Sequence, residues 1–524
     1  MAARTVSWGI LPIVAALAFG ACTPQPPDAD APAAASPESA DGVSAMAAAA
    51  GSPAAAVADG DPCSLEIDVT PMPPDEMQAL KDRIRREKFD HVLPVVMRAH
   101  DIDMWIYVVR ESMPDDLGSE DFGDSNAVFI FTDRGGDRIE RAALGRRFKG
   151  DFFVADQGAD FDPVAASGAY DIVQEPIDRA EQPGGEETEY DYRFNGIGEF
   201  VAERDPERIA LNFMEELGPH VGGHSRDGLS HTDYMLLADE LGERYASRLV
   251  SHEYLLHDYV SRTTPAELEM ITEIRRYLRA VQERDWCRIV PGVTRFSELH
   301  SGLWVVTKGG DRIGFREELY PGGYSSADDY VIQKGDLIFL RFGYFLTEQA
   351  LKDVYGNYYD GLDEIGYVLD DGETEPPQLI RDAWATSLKV HNISERNIRA
   401  GRTGREIHQD MVDDMEQSDI MVIDSQVFDE NYPDTVQVNL DFHAAGQGDS
   451  TLYPAPRLGI YGPDWHHQMP FPVGHHFYIE YFVFVPIPQW DEGSLLIQSH
   501  DGAILTAQGV DYLTPRPLDI RIIQ

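Results

Sequence analysis

Two hydrophobic rhythms alternate along this chain. In PPDEMQALKDRIRREKFDHVLPVVMRAH, apolar residues recur at helical spacing (Met77, Leu80, Ile84, then Val92, Val95 and Val96) behind a Pro-Pro start signal, which predicts helix. DMWIYVVRE, NAVFIFTD and, past a Gly-Gly turn, DRIERAAL read as strands. ERIALNF reads as a further strand and SHTDYMLLADELGERYASRLV as another helix. Strands alternating with helices predict an α/β region ending near Arg262, with the acidic EQPGGEETEYD (181–191) as a surface loop. From Thr264 the pattern restarts. TPAELEMITEIRRYLRAVQERDW opens with a cap and a proline and runs on as a long amphipathic helix. PPQLIRDAWATSLKVHNISERNI and TGREIHQDMVDDMEQ are two more helices, set among the strand-rich GDLIFLRFGYFL, HHFYIEYFVFVPI and SLLIQ.

Some strands carry residues that do not belong to an apolar rhythm. In GDLIFLRFGY (335–344) the guanidinium of Arg341 sits inside an apolar run, where it either points inward or faces the acidic surface. FYIEYFVFVP (477–486) holds Glu480, and a carboxylate there is costly unless it is paired or bound to a metal. DFHAAGQG (441–448) places His443 beside small residues that let a ligand approach, and LLIQSHDG (495–502) ends in His500. His, Glu and Asp on neighbouring strands form a reasonable ligand set for a first-row metal.

Charge and cysteines add constraints. The 524 residues allow two or three domains, and 91 acidic against 43 basic residues give a net charge of −48, which repels phosphate backbones and argues against nucleic-acid binding. Arg4 ahead of the apolar WGILPIVAALAFG predicts a secretory signal, too short for a stable membrane span. Residues 23–62 are almost entirely Ala, Pro, Asp, Gly and Ser, a composition expected of a disordered tether. Export would permit Cys63 and Cys287 to pair, the alternative being two free thiols.

Gly20-Ala21-Cys22 resembles a bacterial lipobox, which implies lipidation of Cys22, a membrane anchor and an exported, periplasmic protein, with Thr23 suggesting the outer membrane. Residues 75–524 resemble the pita-bread metallopeptidases: aminopeptidase P, prolidase and creatinase. The resemblance rests on RIRREKFDHVLPVVMRAHDIDMWIYVVRE, IVPGVT, IQKGDLIFLRFG, GYVLDDGETEPP, RAGRTGREI, HAAG, YIEYFVFVPIPQW and DYLTPRP, in the family's order. With the signal over 1–22 and the tether over 23–62, it implies a creatinase-like N-terminal α/β domain over 63–262 and a pita-bread domain over 263–524.

Members hold two divalent metals through two Asp, one His and two Glu, and a water bridging the metals becomes the nucleophile. Here His443 matches the histidine and Glu480 the first glutamate. The second glutamate falls at His500, or at Gln498 in another register. Arg341 stands where the first aspartate belongs, and the second falls near Asp353, Asp360 or Asp363. The expectation is therefore a degenerate Xaa-Pro aminopeptidase homologue that takes no metal. One alternative is a single-metal (Zn or Mn) peptidase on His443, Glu480, His500 and one aspartate, with Glu480 as proton shuttle and Arg341 polarising the peptide carbonyl. Another is a non-catalytic, peptide-binding or scaffold protein of the envelope, dimerising through its α/β domain. His466, His467 and His475 are candidate substrate contacts, and Arg457, Trp465 and His476 are weighed with them.

Overall fold

The computed structural model describes residues 72–524 except 111–116, 118–120, 125, 147–161, 176–192, 216–227, 300–301, 315–324, 327–329, 343–357, 360–361, 448–455, 460–461, 463 and 491. The signal, the tether, Cys22, Cys63, the 181–191 loop, Asp353 and Asp360 lie outside the described residues.

A first sheet is built from β1 (Met104–Val109), β2 (Ala127–Asp133), β3 (Ile139–Leu144), β4 (Ile172–Val173), β5 (Ile209–Leu211) and β6 (Leu249–Ser251) in the order β4-β3-β2-β1-β5-β6. β1 runs antiparallel to β2 and parallel to β5. All six residues of β1 are buried, because helices cover both faces of the sheet. Trp105, Tyr107, Phe129 and Phe131 pack with Phe89, Val92 and Leu93 on one side, while Ile106, Val108 and Ile130 meet Ile197, Leu237 and Leu241 on the other. The helix expected over SHTDYMLLADELGERYASRLV ends at Ala246, and its tail becomes β6 beside β5. Leu249 and Val250 gain more from a strand ladder than from a helix already interrupted at Gly242.

The helix Pro265–Arg288 starts where its sequence said it would, at a Thr264/Glu267 capping box. Two further sheets follow. The second contains β7 (Gly302–Val306), β8 (Arg312–Gly314), β9 (Ser325–Ser326), β10 (Leu337–Phe342), β12 (Leu362–Val368) and β20 (Arg521–Ile523), ordered β20-β12-β10-β7-β8-β9. The short β11 (Tyr358–Tyr359) pairs with β15 (Gly446–Gln447). The third sheet runs β13 (Ile420–Val422), β14 (Val436–Ala444), β17 (His476–Pro486), β18 (Ser494–Thr506) and β19 (Gly509–Tyr512), with β16 (Leu458–Gly459) on β14.

Strand alternation decides what each face does. On the third sheet, Leu440, Phe442, Ile479, Tyr481 and Val483 pack onto Val390, Ile407, Met411 and Met415 of the helices Gln378–Asn397 and Gly404–Glu416. Leu337, Phe339 and Ile365 of the second sheet share a core with Phe482, Phe484 and Ile497 of the third. The result is a mixed α/β protein, the fold class expected, in which two sheets meet through a common core.

Candidate metal site

Arg341 lies on β10 two residues beyond Phe339, so the period of two turns it to the same side as Leu337 and Phe339, toward the third sheet. The register sets Arg341 directly opposite Asp363 of β12. Its Nε and one terminal nitrogen donate to the two Asp363 oxygens, each at 2.7 Å, while the other terminal nitrogen lies 3.8 Å from Glu480 Oε1. The Arg341 side chain is 1% exposed. The guanidinium in an apolar strand therefore points inward, as one of the two sequence readings required. Next along β12, Glu364 faces the other way and takes Arg279 and Trp286 of the helix Pro265–Arg288.

The third sheet supplies the rest. Glu480 of β17 stands opposite Asp441 of β14 and His500 of β18, and His443 stands opposite Tyr478. Alternation puts Asp441, His443, Glu480, Gln498 and His500 on one face. The nitrogen and oxygen ligand atoms of His443, Glu480 and His500 lie within 4.8 Å of one another. The His500 ring stacks on Tyr478 with centroids 3.9 Å apart. Gln498 Nε2 donates to Glu480 Oε1 at 2.8 Å, an orientation fixed because a carboxylate only accepts. Gln498 Oε1 is buried and has no hydrogen-bond partner among the described residues.

Burial alone would push the Glu480 carboxyl up, but the His500 ring, the His443 hydrogen bond and the Arg341 guanidinium together hold it well below the usual carboxylate range. Burial and the nearby Arg341 keep His500 neutral. Burial pushes the Asp363 carboxyl up to about 6, against the pull of its arginine fork.

The donor set fits a cation on one further observation. His443 Nδ1 lies 3.0 Å from the Ala444 carbonyl, which can only accept, so Nδ1 carries the proton. His443 Nε2 lies 3.2 Å from Glu480 Oε2, an acceptor to which it bonds only when that nitrogen also carries a proton. Two facing acceptors require a proton or a metal ion between them. A histidine whose far nitrogen donates to a backbone carbonyl is the usual arrangement around a bound metal. Atoms coordinated at about 2.0–2.2 Å lie closer together than 4.8 Å, so binding would draw the three side chains slightly inward.

Not every expected residue joins this group. Asp363 is committed to Arg341 and lies outside the converging three. The candidate substrate contacts are found in packing roles. His475 is fully buried, donates to the Ser261 carbonyl at 3.1 Å and stacks on Phe477. Buried His466 packs on Trp465, which in turn lies 4.5 Å from His257, and His467 bonds the Arg457 carbonyl at 3.1 Å. His476 is buried as well. Asp441, forked by Arg457 at 2.8 and 2.7 Å, was not singled out in the sequence, although its place two residues before His443 in an apolar strand was the available signal. Cys287 is disulfide-bonded.

No family model and no curated protein matches the chain. Solved structures do. An X-Pro aminopeptidase from Thermotoga maritima is 16% identical at a TM-score of 0.49, covering 82% of this chain and 100% of its own. An Xaa-Pro dipeptidase from Bacillus anthracis is 16% identical at 0.45, over 85% and 100%. The N-terminal domain of the FACT complex subunit SPT16 from Eremothecium gossypii is 14% identical at 0.42, over 86% and 98%. These structural neighbours include an X-Pro aminopeptidase and an Xaa-Pro dipeptidase.

Proposed function

We propose that this protein is an Xaa-Pro aminopeptidase-like homologue that has lost two-ion hydrolysis and keeps a pocket for one divalent cation on His443, Glu480 and His500. The observation that carries this reading is the buried Arg341, forked onto Asp363 and 3.8 Å from Glu480. A guanidinium does not deprotonate, and a second dication beside it would be strongly repelled in a poorly screened pocket. When bound, a single ion would supply Lewis acidity and a water of lowered pKa. Turnover also needs a carboxylate or imidazole free to accept a proton next to that water. Of the residues brought together here, Glu480, His443 and His500 are the ligands, and Asp363 is held by Arg341. The pocket is thereby suited to binding peptides of the Xaa-Pro type more than to cleaving them.

A second reading, a single-metal peptidase, is supported by the donor set itself. Two histidines and a glutamate with an open fourth position is an arrangement used by catalytic zinc. One experiment separates the two. Elemental analysis is expected to give one zinc or manganese per chain, and Xaa-Pro peptides with either ion added are expected to bind without release of product. Measurable turnover with one ion favours the second reading, and two bound ions with turnover overturns both.

The disulfide at Cys287 supports the proposal that the chain works in an oxidising compartment, as an exported protein. Lipidation of Cys22 belongs to the same proposal.

A further inference from the structure

We infer that Arg457 decides which cation the pocket accepts, by holding Asp441 out of the ligand set; the inference rests on the one-cation reading above. Asp441 lies on β14 two residues before His443 and directly opposite Glu480, so it belongs to the face that carries His443, Glu480 and His500. A carboxylate in that position is a ready fourth ligand. It is instead engaged on both oxygens by the Arg457 fork, in a pair whose side chains are 10% and 6% exposed. Bidentate pairing fixes the direction of the acceptor as well as its charge.

The arginine is anchored from behind. Its backbone N–H donates to the His466 carbonyl at 3.2 Å, and its own carbonyl accepts from His467 Nδ1 at 3.1 Å. Gly404, at the start of the helix Gly404–Glu416, packs so close to the Arg457 carbonyl that a Cβ there would come within 2.1 Å of the oxygen, which leaves room only for glycine. The His466 backbone and the His467 ring thus position Arg457. Arg341 with Asp363 and Arg457 with Asp441 are the same device used twice, and each takes one carboxylate out of the ligand set.

What remains is two imidazoles and one carboxylate. A nitrogen-rich set suits zinc, whereas manganese, magnesium and calcium call for oxygen. Releasing Asp441 adds an oxygen and should move the preference toward the harder ions.

The test is calorimetric titration of the full chain with zinc and with manganese chloride, alongside elemental analysis. Arg457→Gln is expected to raise manganese affinity relative to zinc by about tenfold or more. The double variant Arg457→Gln/Asp441→Asn, which removes the freed carboxylate, is expected to return to the wild-type preference. Should Arg457→Gln not fold, Arg457→Lys keeps the charge but cannot fork, and the same shift is expected. An unchanged preference, or a shift that survives in the double variant, overturns the inference. If the wild-type chain binds neither ion, the one-cation reading fails. In that case, a variant at Arg457 that gains an ion still sustains the lock, and one that stays empty overturns it too.

Discussion

Asp363 and Glu480, on the two sheets that meet at the pocket, are held in opposite ways. On the second sheet, Asp363 is taken up on both oxygens by Arg341. On the third, Glu480 has an imidazole at one oxygen and an amide at the other. The first arrangement is complete as it stands, since charge and geometry are both satisfied. The second sets His443 Nε2 3.2 Å from Glu480 Oε2, a separation that a proton or an ion can bridge, and leaves Gln498 Oε1 without a partner among the described residues, so it has room to take a bound ion. A carboxylate's availability as a ligand is therefore decided by the cation the protein already places beside it.

The sharpest way to break the contrast is to make both sheets alike. Arg341→Asp removes the internal cation and leaves Asp363 facing a second carboxylate, which should cost at least about 3–5 kcal/mol of stability in chelator. Manganese should restore the loss, and elemental analysis should find two ions per chain. Urea denaturation with and without the ion measures both. A variant as stable as the parent in chelator would show that the fork holds nothing in place.

Removing the ligand from the third sheet is the converse. Glu480→Gln should lower zinc affinity by about 100-fold or more, read by calorimetry. A smaller loss would mean that the histidines bind without it.

The smallest effect separates structural histidines from ligands. Burial lowers His475 to about 3, opposed by its bond to the Ser261 carbonyl and with the neighbouring His476 adding to the depression. Its folded pKa thus lies below the unfolded value near 6.5, so the native state binds fewer protons and stability falls as pH drops from 6.5 toward 3. His475→Asn, which can keep the bond to Ser261, should flatten that acid limb by about 1 kcal/mol per pH unit, with zinc affinity at pH 7 unchanged. A lower zinc affinity would return His475 to the site.

Much of the molecule was legible before any coordinates. Apolar runs and capping signals found β1, β2, β17 and the helix from Pro265, because local patterns specify local structure. Glu480 was legible as a carboxylate in an apolar strand, where burial is expensive unless it is used, His443 by the small residues beside it and His500 by its place at the end of a strand. Other features were decided only by the tertiary structure. The direction of Arg341 depends on the sheet that covers its face, and the choice of Asp363 as its partner depends on the register between β10 and β12. The capture of Asp441 by Arg457 joins residues on two different strand-and-loop segments. Spacing along a strand shows which residues share a face. Which charges meet there is settled by strand register and sheet packing, since electrostatic pairing depends on distance in space and not along the chain.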